Sequence, residues 1–263
     1  MDNGSFTLSV LGTRGSIPIS RGGLFGGATS CYLVQAGDQA VFLDAGSGLI
    51  SAPVHFETTP VILLTHLHLD HILGLGMYPR LSQKGLKTDL YLRAQDDADA
   101  RRQLDALYSP PFWPCSLCNY AGELCLHALS TPLRFGELLV ESMPGEHPGG
   151  SVVYRLRYAG KSLVYATDFE HGRDSFDELA DFARGADLLM YDGQYSEELY
   201  ANRRGFGHST PDKGLELLER AGAGRLLIIH HDPQSSDEQL LRQEEAIGDK
   251  RVHFAREGET WTI

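Results

Sequence analysis

Alternating apolar and polar positions over residues 6–11 predict an opening strand. It runs into a turn-rich loop, Gly12-Thr13-Arg14-Gly15-Ser16-Ile17-Pro18. The glycine-rich piece 21–27 has no regular spacing and no helical pattern after it, so it reads as a flexible loop rather than a phosphate-binding turn. Apolar runs at 31–36 and 40–43 flank Gly37-Asp38 and predict a hairpin, whose second strand ends in Asp44-Ala45-Gly46-Ser47-Gly48. A short apolar run, 61–64, follows. Residues 71–81 are expected to form a short helix with Pro79 near its end, 89–93 a strand, and 96–107 a polar helix capped by Asp96. The prolines of Ser109-Pro110-Pro111-Phe112-Trp113-Pro114 stop that helix. Its two aromatics read first as packing residues and second as a lid that stacks on a base.

Strands are predicted at 124–129, 138–143, 152–158 and 162–166, the last two joined by the hairpin turn Ala159-Gly160-Lys161. The texture then alternates, with helices at 175–183, 210–221 and 237–247 and strands at 187–191, 226–229, 252–255 and 260–263. Neither a fixed-period repeat nor a linker divides the chain, so residues 1–263 read as one domain. The pattern suggests an α+β architecture of sheets packed face to face with helices outside.

At 263 residues and 42% apolar content, the chain can bury a sizeable core. The net charge of −12 argues against a broad footprint for nucleic acid or anionic membranes, without excluding a local cationic site. The start, Met-Asp-Asn-Gly-Ser, has no basic flank leading into an apolar segment, and no run approaches the ~20 apolar residues of a span. Four cysteines in this length make no disulfide framework, so a cytoplasmic location is expected.

The chemistry concentrates in Thr65-His66-Leu67-His68-Leu69-Asp70-His71, directly after the run 61–64. Alternate side chains of a strand share a face, so His66 and His68 can reach one point, with Asp70 and His71 at the entry to the next helix. Imidazole and carboxylate are good ligands for zinc and similar ions. Further candidates stand where apolar strands end: His147, Asp168 and His230. Together these residues supply enough ligands for two ions, with Asp168 as a bridge. Cys115, Cys118, Cys125 and His127 have some character of a structural zinc site, but the spacing fits no standard finger.

The ordered set His66-x-His68-x-Asp70-His71, His147, Asp168, His230 resembles the metallo-β-lactamase superfamily. The resemblance covers nearly the whole chain and includes Leu11-Gly12-Thr13-Arg14-Gly15-Ser16 and the Asp44-Ala45-Gly46 turn. It implies a four-layer αββα sandwich with the site at one edge between the sheets. It also implies that His66, His68 and His147 hold one ion, that Asp70, His71 and His230 hold the other, and that Asp168 bridges them. The choice of His230 over its neighbour His231 follows the family's placement of a ligand directly after the apolar run.

Gly207-His208-Ser209-Thr210 looks like the motif of the ribonuclease Z-like phosphodiesterase branch, where the histidine is a non-ligand near the leaving group, supported by an acid. Asp192 stands here where that branch has Glu, one methylene shorter. A structural reading makes Ser209 or Thr210 a helix cap. The resemblance thus implies catalytic roles for Asp70, His208 and Asp192 in a hydrolase using two divalent ions. Zinc is the first expectation, with manganese or iron accepting the same donors. A metal-bridging hydroxide would attack a small phosphodiester such as a cyclic nucleotide. RNA is the weaker expectation, because no long basic arm grips a tRNA for 3′ processing. A thioester or lactone hydrolase would leave His208 without a task, and a metal-binding scaffold is the reading outside enzymology. The expected partners are a small phosphodiester and a second copy of the chain in a homodimer, with no membrane.

Overall fold

The computed structural model describes residues 4–20 and 23–263. Strands β1 (Phe6–Gly12), β2 (Cys31–Ala36), β3 (Gln39–Leu43), β4 (Val61–Leu63), β5 (Lys87–Leu92) and β6 (Glu123–Ala128) belong to a first sheet. Strands β7 (Leu133–Phe135), β8 (Leu138–Gly145), β9 (Ser151–Tyr158), β10 (Lys161–Ala166), β11 (Leu188–Asp192), β12 (Leu226–Ile229) and β13 (Val252–Phe254) make the second. The chain then returns to the first sheet as β14 (Thr260–Thr262), giving the order β14-β1-β2-β3-β4-β5-β6 against β13-β12-β11-β10-β9-β8-β7.

Burial explains the layering. Strand β1 alternates buried and half-buried residues, so one face is covered. Leu8, Val34, Leu43 and Leu63 of the first sheet meet Leu156, Leu163, Met190 and Ile229 of the second in a dry central layer. Each such side chain contributes ~1.5–3 kcal/mol on burial, which locks the two sheets together. The outer face of the second sheet is covered by α3 (Arg173–Phe182), α5 (Pro211–Ala221) and α6 (Asp237–Ile247). The outer face of the first carries α2 (Asp97–Asp105), short 3₁₀ turns and Trp113. This is the αββα sandwich, built on two mixed sheets. No helix among the described residues is long and apolar enough to cross a membrane.

The predicted helix at 71–81 breaks up into one α-turn, α1 (Leu69–Ile72), and two 3₁₀ turns, Leu75–Met77 and Pro79–Ser82. Pro79 has no N–H to donate and forces Tyr78 into an extended conformation. Strand β7 and the helix α4 (Glu197–Ala201) are too short to leave a periodic signal, and the sequence reading lacks both. Asp96 does cap α2, accepting from the Asp99 N–H at 2.7 Å. Thr210 caps α5 in the same way. In the glycine-rich stretch, Arg21 and Gly22 lie outside the described residues. The remainder is pinned rather than free: Asp237 accepts the Leu24 N–H, Glu257 accepts the Gly27 and Ala28 N–H groups, and Phe25 is buried.

Strands β3 to β6 are parallel, as are β10 to β13. The loops leaving the carboxyl ends of β3, β4, β10, β11 and β12 converge on one edge between the sheets, where open α/β sheets commonly place their ligands.

Candidate metal centre

Each of those strands ends in a side chain aimed at this edge. Asp44 follows β3, His66 to His71 follow β4, Asp168 follows β10, Asp192 ends β11, and His230 follows β12. Asp44, Asp168 and His230 all take left-handed backbone conformations (φ 60°, 49° and 61°), as does Ser16 at 62°. Such residues cost of order 1–3 kcal/mol each and persist where surrounding structure over-determines them. At Asp44, Asp168 and His230 the kink turns the chain abruptly as it leaves a buried strand, at the residue whose own side chain joins the cluster.

Asp168 sits at the middle. Its Oδ2 lies 3.6 Å from His66 Nε2 and 3.5 Å from His147 Nε2, while its Oδ1 lies 3.1 Å from His71 Nε2 and 3.2 Å from His230 Nε2. Asp70 Oδ2 is 3.3 Å from His71 Nε2 and 3.1 Å from His230 Nε2. Donor atoms of His66, His68, His147 and Asp168 all lie within 4.8 Å of one another, and so do those of Asp70, His71, Asp168 and His230. These two groups share one carboxylate, which also belongs to a third set of close donors, Asp168, Asp192, His208 and His230. All seven residues expected from the sequence come together here, His68 on the solvent side and the others largely buried.

A second layer holds these groups in place. Asp44 Oδ2 lies 2.7 Å from His71 Nδ1 and accepts hydroxyls from Thr65 at 2.9 Å and Tyr165 at 2.8 Å, while Oδ1 accepts the Thr65 N–H at 2.7 Å. The Nδ1 proton of His71 is thereby fixed toward Asp44, leaving Nε2 for the crevice. The Ser16 N–H donates to Asp70 Oδ2 at 2.6 Å, and Gln194 Nε2 to Ser16 Oγ at 3.1 Å. Asp192 Oδ2 accepts the Asp168 N–H at 3.1 Å and lies 2.9 Å from His208 Nδ1, so the shorter acid does reach its histidine. Asp192 Oδ1 accepts the Gln194 N–H at 2.9 Å. His208 Nδ1 stands 3.8 Å from Asp168 Oδ2.

The donor set suits divalent cations. Four carboxylates, Asp44, Asp70, Asp168 and Asp192, are buried together, a costly arrangement without nearby positive charge. Burial alone would raise Asp70 and Asp168, yet the surrounding imidazoles hold both well below the usual carboxylate range. Burial also disfavours charge on His71, but Asp168, Asp70 and Asp44 outweigh it and drive its pKa up. The position attracts a cation. Burial keeps His66, His68 and His147 neutral, lowering His147 to about 4. Neutral imidazole is the form that binds metal. Nε2 of His66, His71 and His147 is buried without a hydrogen-bond partner among the described residues, as expected of nitrogens reserved for ions. His208 differs: burial pulls it down, but the charge and hydrogen bond of Asp192 raise it to about 9.

Other candidates fall outside the cluster. His231 turns away, its Nε2 2.9 Å from the Ala255 carbonyl oxygen and its ring stacked on Phe254. Nearby His171 also lies outside the cluster: its Nδ1 is 2.7 Å from Ser209 Oγ and its ring packs against Tyr200. The cysteines form no metal-holding group among the described residues: Cys125 donates to Glu123, and His127 contacts Asp89 at 3.1 Å. Trp113 packs, donating its Nε1–H to Tyr120 Oη at 2.8 Å, while Phe112 is exposed. Asp44, Ser16, Thr65 and Tyr165 carry no site role in the sequence pattern. Asp44 alone had a usable signal, an acid ending an apolar strand just as Asp168 does.

Residues 40–231 match the family model of the β-lactamase superfamily domain. Ribonuclease Z 2, mitochondrial, of Schizosaccharomyces pombe is 26% identical over 99% of this chain, which spans only 39% of that protein. The probable metallo-hydrolase YhfI of Bacillus subtilis is 26% identical over 97% of this chain and 98% of its own length. A solved diphosphatase of the PhnP family superposes with a TM-score of 0.72 at 21% identity, covering 98% of both chains. With the αββα sandwich and a cluster of imidazoles and carboxylates at its edge, the chain belongs to the metallo-β-lactamase superfamily of metal-dependent hydrolases, among relatives of the ribonuclease Z kind.

Proposed function

We propose that this chain is a dinuclear metal-dependent phosphodiesterase acting on a small phosphodiester such as a cyclic nucleotide. The observation that carries the reading is the pairing of a shared Asp168 with a separate His208–Asp192 couple beside it. His66, His68 and His147 would hold one ion and Asp70, His71 and His230 the other, zinc being the first choice for so many imidazoles. Two divalent ions bound there would acidify a shared water and draw negative charge from the phosphoryl oxygens.

The protein's own groups supply the rest. Asp192 fixes the Nδ1 proton of His208, which leaves Nε2–H to donate to the departing alkoxide. The raised pKa of His208 keeps that proton in place at neutral pH. Asp70, held by the Ser16 N–H and kept ionised by the imidazoles around it, would bind its ion and orient the attacking water. A thioester hydrolase would need no such donor, because a thiolate leaves without being protonated. RNA is the second reading, favoured by the relative named ribonuclease Z, whereas the acidic surface favours a smaller substrate.

The test is turnover of bis(p-nitrophenyl) phosphate by protein of measured metal content, with His208→Ala alongside. The expected result is metal-dependent hydrolysis by the wild type, with both ions still bound in the variant, which keeps much of its turnover of this nitrophenyl diester but loses that of a diester with an alkoxide leaving group. Absence of turnover by the fully loaded wild type, with turnover of a lactone or thioester instead, would overturn the reading.

A further inference from the structure

We infer that Arg93 forms an anion subsite beside the metal centre, which takes a second phosphate or carboxylate carried by the substrate. The inference rests on the phosphodiesterase reading and narrows it, from any small diester toward one bearing another anionic group near the scissile phosphate.

Arg93 leaves the carboxyl end of β5, next in the sheet to β4, whose following loop supplies His66 and His68. Arg93, His66, His68, Thr65 and Gly149 line one cavity of about 200 Å³. That is below the ~300–1,000 Å³ of a pocket for a drug-sized molecule, and suits one small group. No carboxylate lines it among the described residues.

The charge of Arg93 is uncompensated. Many arginines of this acidic chain are paired, as in Arg157 with Glu141, Arg220 with Asp177 and Arg256 with Glu244. Of those without a carboxylate partner among the described residues, such as Arg80, Arg134, Arg203 and Arg93, only Arg93 lines the cavity beside His66 and His68. Arg93 makes no ion pair among the described residues, and its one side-chain hydrogen bond there goes to the Gly149 carbonyl. A planar guanidinium with donors to spare is suited to bidentate binding of a phosphate or carboxylate.

The room for it is built in. Gly150, whose φ of +80° favours glycine, lies against the guanidinium: a Cβ there would stand 2.3 Å from Arg93 Nη1, and the arginine would have to swing aside. Across the His147-Pro148 ridge the field reverses. A second cavity of about 480 Å³ there is lined by Glu146, Glu170 and Glu178. An anionic group flanking the reacting phosphate is repelled from that side and drawn to Arg93, which would fix the direction in which the substrate lies across the metals.

Calorimetry on the zinc-loaded protein tests this with two probes, methyl phosphate and 2-phosphoglycolate, which differ by one carboxylate. Wild type should bind phosphoglycolate more tightly. Arg93→Met should weaken phosphoglycolate at least tenfold while methyl phosphate stays within twofold, and Arg93→Lys should fall between. Equal weakening of both probes would overturn the subsite and reduce Arg93 to a tether for the 147–150 loop. No change in either probe would overturn it as well. If Arg93→Met fails to fold, the comparison of the two probes in Arg93→Lys decides. Failure of the phosphodiesterase reading registers separately, as no turnover of bis(p-nitrophenyl) phosphate by a wild type that still discriminates between the probes.

Discussion

His208 Nδ1 lies 2.9 Å from Asp192 Oδ2, and the same oxygen accepts the N–H of Asp168, the residue shared by both metal-holding groups. One carboxylate thus holds His208 and the centre of the cluster in a single frame. If His208 is the general acid, Asp192→Asn removes the charge that keeps it protonated. Turnover of a diester with a poor leaving group should fall by ~10²–10⁴. A nitrophenolate leaves without help, so its diester should suffer much less. Equal losses for the two substrates, at unchanged metal content, would sink the general-acid role.

The longer acid of the ribonuclease Z-like motif should not substitute freely here. Asp192 is fully buried and its two oxygens already serve Asp168, Gln194 and His208. An added methylene overpacks that space, typically at ~1–3 kcal/mol. Asp192→Glu is therefore expected to lower both the melting temperature and turnover, measured by thermal denaturation and steady-state kinetics. A variant as stable and active as the wild type would refute the packing argument.

Asp44 touches His71 and no other residue of the two metal-holding groups. Outer partners of this type typically account for 10–100-fold in metal affinity. Asp44→Asn should weaken one of two ions by about that factor and leave the other near its original affinity. Competitive titration with a fluorescent chelator reads the two sites separately. Loss of both ions together would mean that Asp44 supports the fold of the crevice rather than the orientation of one ring.

Much of this architecture was legible in the sequence because the site sits where strong signals end. The runs 61–64, 163–166 and 226–229 are apolar throughout, and a polar residue just after such a strand stands out. Asp168 and His230 were found this way, and the His208 motif by resemblance. Ser16, Thr65 and Tyr165 were not found because each contributes a hydrogen-bond donor whose partner lies elsewhere in the chain. Ser16 reaches Asp70 across 54 residues, and Tyr165 reaches Asp44 across 121. Pairings at such separations leave no local pattern. The break-up of the 71–81 helix was signalled by Pro79, yet the apolar spacing on both sides masked it.

Removal of the ions should destabilise the fold. Four buried carboxylates then face one another with only imidazoles between them. A ligand present at 100 times its Kd stabilises the folded state by ~2.7 kcal/mol, and two tightly held ions by more. For a chain of this size, chelation should lower Tm by at least about 5–10 °C. Scanning calorimetry before and after chelation, with zinc added back, measures it. A Tm indifferent to chelator would show that no ion is bound where the cluster lies.

Gly15 offers the sharpest separation of the two metal-holding groups. Its Cα faces His230 so closely that a Cβ would lie 2.4 Å from ring atoms Cε1 and Nδ1, and 2.6 Å from Gln194 Oε1. Neither neighbour can yield easily, since His230 is fully buried and Gln194 nearly so. Gly15→Ala must then push the His230 ring from its position opposite Asp70 and Asp168. His66, His68 and His147 are untouched by the change. The expected protein binds one ion instead of two, as counted by elemental analysis after dialysis against limiting zinc. Its diesterase turnover should fall steeply, because the water and the phosphoryl oxygen would lose one of their two cations. Retention of both ions at wild-type affinity would mean that the 12–18 loop moves aside and that its close packing on His230 does not define the site.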